Sequence, residues 1–128
     1  NTLDYYCFDI RDIIKSSLFE NNLVDLVVSN SFLHHLHDIY SFWNITKSLG
    51  SLDVLHFHRD LRRPKSQNEA RKLMKLHLGD APLVLKRDYY ASLLAAFTVK
   101  EVKSQLEQQC LFNLQVSEID DRYLQVCG

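Results

Sequence analysis

Two stretches of this chain are apolar in the manner of buried strands, and a helical pattern lies between them. The first is Leu23-Val24-Asp25-Leu26-Val27-Val28, short and rich in β-branched residues. It stops at Ser29-Asn30-Ser31, small polar residues that favour turns and helix N-caps. From Asp38 onward Ile39, Phe42, Trp43, Thr46 and Leu49 recur at helical spacing, and Gly50 stands where a C-cap is expected. Leu52 to Phe57 is the second strand, running into His58-Arg59-Asp60. Strand, helix and strand with short links predict parallel neighbours joined by a right-handed crossover. Ligands are then expected at the loops outside the strands' carboxyl ends.

The remaining segments take their places around this unit. Leu3 to Phe8, rich in aromatics, predicts a further strand, followed by Asp9-Ile10-Arg11-Asp12. After Pro64, Ser66-Gln67-Asn68-Glu69 is a capping-box pattern opening a helix with Ala70, Leu73, Met74 and His77 on one face and Gly79-Asp80 at its end. A second helix is expected from near Pro82 to Phe97, with Tyr90, Leu93, Leu94 and Phe97 in register. Thr98-Val99-Lys100-Glu101 opens a third, which turns Val99, Val102, Leu106 and Cys110 inward. Phe112 to Ile119 and Arg122 to Val126, split by Asp120-Asp121, predict an antiparallel hairpin.

Composition narrows the class. A length of 128 residues fits one domain, and the 46% hydrophobic and 24% charged shares argue against disorder. A net charge of -1 argues against nucleic-acid binding by electrostatics. No apolar run approaches the roughly 18 residues that span a membrane, so no membrane partner is expected. Cys7, Cys110 and Cys127 are odd in number and widely spaced, which suits reduced thiols in a cytoplasmic protein. The chain opens on Asn1 rather than Met, as a piece of a longer protein would.

The block from Asp25 to Asp38, with Ser29-Asn30-Ser31 and His34-His35 inside it, is followed by Phe42-Trp43 and by a strand ending Arg59-Asp60-Leu61. These residues and the closing hairpin resemble the class I S-adenosylmethionine-dependent methyltransferases, from the family's third strand to its end. The resemblance implies an α/β fold: a Rossmann-like, mostly parallel sheet with a C-terminal antiparallel hairpin, its N-terminal strands missing, with residues 1–128 forming a single partial domain. The family's glycine-rich first loop and the acidic residue ending its second strand are absent, since the three glycines are 50, 79 and 128.

The same resemblance implies S-adenosyl-L-methionine as cofactor and a small-molecule substrate. Asp9 and Ile10 then stand at the adenine edge, Ser29 and Asn30 at the methionine end, and Ser31 is a further cofactor-binding residue. His34, His35 and Asp60 become substrate-side candidates, and no residue is assigned as catalytic. Each has a plainer reading: Asp9 as a turn residue, the serines and Asn30 as cap chemistry, the histidines as packing groups and Asp60 as a solvated loop carboxylate. The basic set Arg59, Arg62, Arg63 and Lys65 suits either an anionic substrate or a solvated face. The family's sheet order would leave the Val24 strand with a bare edge, so self-association through that edge is expected.

Two other classes remain open. His56-Phe57-His58-Arg59-Asp60 reads as H-x-H-x-D, His34-His35-Leu36-His37-Asp38 adds possible ligands, and alternate strand residues share a face, so His56, His58 and Asp60 suit a metal-dependent hydrolase. Leu61 stands where the metallo-β-lactamase pattern needs a further histidine. A non-catalytic remnant of the methyltransferase fold is the third reading.

Overall fold

The computed structural model describes residues 3–13, 15–17 and 24–128. Leu23 and the residues 18–22 before it lie outside these. A single helical turn, α1 (Ile10–Ile13), precedes strand β1 (Val24–Asn30). A 3-10 turn at Leu33–His35 leads into α2 (Ile39–Leu49), which passes directly into β2 (Gly50–Leu61). Helices α3 (Gln67–Leu78), α4 (Leu83–Ala95) and α5 (Val99–Gln108) follow, and β3 (Gln115–Glu118) and β4 (Tyr123–Cys127) close the chain.

The four strands form one sheet in the order β1-β2-β4-β3. β1 and β2 are parallel, β2 and β4 antiparallel, and β3 and β4 antiparallel. By adjacent pairs the sheet is mixed, which corrects the expectation of a mostly parallel one. The reason is β4: it does not extend the hairpin outward but inserts between β2 and β3. β3 consequently runs in the same direction as β1 and β2, yet pairs with neither.

Local signals hold where the physics is local. Ser66 caps α3 by accepting from the Glu69 N–H at 3.2 Å, although the Glu69 carboxylate reaches back to the N–H of Lys65 and not of Ser66. Thr98 and Glu101 close both arms of a capping box on α5. Gly79 ends α3 with φ of 35°, its N–H returned to the Lys75 carbonyl. Three expectations fail. Residues 3–9 form no strand and are mostly exposed, because no neighbouring strand among the described residues offers them a hydrogen-bonded ladder. Gly50 begins β2 and is no separate helix cap. Cys110 lies beyond the end of α5 with φ of 55° and is exposed.

One face of the sheet is sealed. Val54, His56, His58 and Asp60 of β2 point to it, and Phe42 and Trp43 of α2 pack there with Val102 and Leu106 of α5 and Leu124 and Val126 of β4. Trp43 is wholly buried, and its indole N–H donates to Gln105 Oε1 at 3.1 Å. Truncating such a side chain to alanine costs about 3–5 kcal/mol. On the opposite face the α3–α4 hairpin packs on Leu61 and Tyr123, through Ala70, Leu73, Leu93 and Ala96. Toward β1 that face is exposed among the described residues. Leu26 lies opposite Leu55 and Val28 opposite Phe57, and all four are exposed.

Candidate functional site

The carboxyl ends of β1 and β2 are bound together by one side chain. Asp60 Oδ2 accepts from the backbone N–H groups of Phe32 and Leu33 at 2.8 and 2.6 Å. Its Oδ1 accepts from the N–H of Leu61 at 2.8 Å and lies 2.5 Å from His34 Nδ1. Both Asp60 and His34 side chains are only 3% exposed. Asp60 is therefore turned inward as a clasp on the loop after β1. His34 is held with it. With the loop so fixed, Ser31 takes φ of 51° and donates its N–H to the Arg59 carbonyl at 2.9 Å.

Behind the loop runs a buried polar chain. Ser29 Oγ is 2.8 Å from His58 Nδ1, and His58 Nε2 is 3.1 Å from His56 Nδ1. The His58 ring meets Phe42 and Trp43 edge-on, with centroids 5.6 and 5.3 Å away. Burial, with a smaller contribution from the neighbouring His56, pushes His58 down to about 4, and burial alone also lowers His56. Both imidazoles are thus neutral at neutral pH, one donating to the other. The two histidines do share a face, as their spacing predicts, but both His58 ring nitrogens are engaged. Asp60 is spent on the loop. No group of three or more metal-binding side chains forms among the described residues.

Two clefts open beside this loop. The larger, about 660 Å³, lies between residues 8–11 and the start of α2 and is lined by Asp9, Ile10, Phe32, His35, Leu36 and Phe42 among others. The second, about 380 Å³, lies along β1 and is lined by Ile10, Val28, Ser29, Asn30, Phe32 and Phe42 among others. Ile10, Phe32 and Phe42 line both clefts. Asp9, Ile10, Ser29 and Asn30 are therefore brought together around one apolar wall, and His35 joins them from the first cleft. Ser31, His34 and Asp60 line neither. Asp9 also has a partner already: its Oδ1 accepts from the Arg11 backbone N–H and Nε, both at 2.9 Å, and its Oδ2 from Nη2 at 2.6 Å. The Arg11 side-chain hydrogen bonds hold the Asp9 carboxyl well below the usual carboxylate range.

The aromatic wall of Phe32 and Phe42 had no separate signal in the sequence, because core and cleft aromatics share the same helical spacing. The Ser29–His58 bond was equally hidden, since 29 residues separate its partners. No protein-family model matches the chain, and no curated protein matches it significantly. No helix among the described residues is long and apolar enough to cross a membrane.

Proposed function

We propose that this chain carries the carboxyl-terminal part of a class I S-adenosylmethionine-dependent methyltransferase domain with a Rossmann-like sheet, acting on a small molecule. One observation carries the reading: the order β1-β2-β4-β3, with a reversed strand inserted next to last. Taken as the family's fourth, fifth, seventh and sixth strands, it is the order the family resemblance implies. The grouping of Asp9, Ile10, Ser29 and Asn30 around the clefts at the end of β1 adds support.

The residues present suit one wall of an S-adenosylmethionine site. Ile10, Phe32 and Phe42 offer an apolar surface for a purine face, and Asp9 and Asn30 stand at its rim. When bound, the cofactor supplies an electrophilic methyl group on a sulfonium. Ser29 is oriented by His58, so its hydroxyl is fixed before any ligand arrives. The Asp60 clasp holds the loop that follows Asn30. Positioning of this kind supplies much of the rate in an in-line displacement.

The test is a titration of the 128-residue chain with S-adenosylhomocysteine, followed by NMR and calorimetry. Because the glycine-rich loop is absent, the affinity should be weaker than micromolar, while the amide signals of Ile10, Asn30 and Phe32 move together. No shift at millimolar ligand, or shifts confined to α3 and α4, would overturn the reading.

A further inference from the structure

The structure sorts the basic run that follows β2. Arg62 is tied to Glu118 at 3.4 Å and to the Asp120 carbonyl at 2.9 Å. Arg63 is paired with Glu101. Lys65 is exposed to water. Arg59 is different. It is half-buried and has no carboxylate at salt-bridge distance among the described residues; its Nε is buried without a partner, as is that of Arg62. Its guanidinium lies 4.1 Å from the centre of the Tyr123 ring. Arg122 stands 4.9 Å from the same ring, also with an unpartnered Nε. The Asp120 carboxylate feels both charges, but it is spent on the N–H groups of Arg122 and Tyr123 at 2.9 and 2.7 Å.

Arg59 also has a particular address. In the β1–β2 register it pairs with Asn30, at the carboxyl end of the parallel strands. Along β2 the same face presents Phe57 and Leu55, and across the ladder Val28 and Leu26, all exposed. Among the described residues an exposed apolar strip therefore runs up the sheet and ends at a guanidinium set over an aromatic ring, with its Nε unspent. Stacking on an aromatic ring fixes the plane of the fork, which is the geometry that meets a carboxylate with two parallel hydrogen bonds.

We propose that Arg59 anchors a binding site on this face for a small molecule with an apolar body and a terminal carboxylate. The body lies along Phe57 and Val28, and the carboxylate takes the two N–H groups of the fork. That this ligand is the methyl acceptor rests on the methyltransferase reading; the binding itself does not, and it is measured without S-adenosylmethionine.

The experiment compares octanoate with octanol on the whole chain by NMR. Octanoate should bind roughly tenfold more tightly, in line with a charge-assisted bidentate contact. It should move the Arg59 side-chain Nε–H signal together with the amides of Phe57 and Val28. Arg59→Gln should erase the difference between the two ligands, and Arg59→Lys should retain part of it. Phe57→Ser, at a position already 44% exposed, should weaken both alike. Equal affinities for octanoate and octanol in the unaltered chain would overturn the proposal even if Arg59→Gln failed to fold. So would a preference that survives in Arg59→Gln, or binding seen only with anionic phospholipid vesicles.

Discussion

Asp60 and His34 lie 26 residues apart in the chain and meet at 2.5 Å, both sealed from solvent. With the two loop N–H groups that Asp60 also holds, this contact decides where the end of β1 points. A carboxylate removed from such a place leaves three buried backbone donors and one imidazole without an acceptor. Asp60→Ala should therefore cost about 3–5 kcal/mol of stability. Asp60→Asn, which keeps the shape but forces one donor against another, should cost nearly as much. Urea unfolding measures both, and a loss below about 1 kcal/mol would mean that the clasp does not hold the loop.

The buried His58 makes a pH prediction with a definite sign. Its folded value, about 4, lies below the ordinary 6.5, so the unfolded chain binds the proton more readily. The stabilisation is complete above pH 6.5 and is lost as pH falls from there toward 4. At about 1.4 kcal/mol per unit, the loss by pH 5 is on the order of 2 kcal/mol, with His56 acting in the same direction. His58→Gln should lessen that slope between pH 6.5 and 5. An equal slope in the two proteins would place the titration elsewhere.

The outer edge of β1 has no strand beside it among the described residues, and Leu26 and Val28 stand exposed there. Such an edge is a template for further pairing. Sedimentation should show concentration-dependent self-association, reduced by Val28→Lys. Hydrogen exchange should be fast across residues 3–9, which form no strand, and slow in the paired residues of β1 and β2. A monomer at every concentration, with the Val28→Lys variant no different, would count against the edge as the point of contact.

The sequence by itself determined what neighbours along the chain can enforce. Ser66 and Thr98 start their helices, Gly79 ends one, and the spacing of Phe42, Trp43 and Leu49 buries one face of α2. The short link at Asp120-Asp121 permits only a hairpin. These are interactions over a few residues, and composition and periodicity express them directly. The alternation of His56, His58 and Asp60 likewise put them on one face. It could not say what that face would meet.

Tertiary structure decided the rest, because the deciding partners are distant in sequence. His58 is a metal ligand or a neutral hydrogen-bonded group according to whether Ser29 and His56 occupy its ring nitrogens. Asp60 is a surface carboxylate or an internal clasp according to where Phe32 and Leu33 lie. The segment 3–8 has strand-like composition but forms no strand, since a strand exists only with a partner for its backbone. Arg59 and Arg62 read alike in the chain. Among the described residues, folding gives Arg62 the Glu118 carboxylate and sets Arg59 over the face of Tyr123. A side chain's chemistry is set by its residue type, but whether that chemistry is spent internally or left free depends on contacts that only the closed fold brings together.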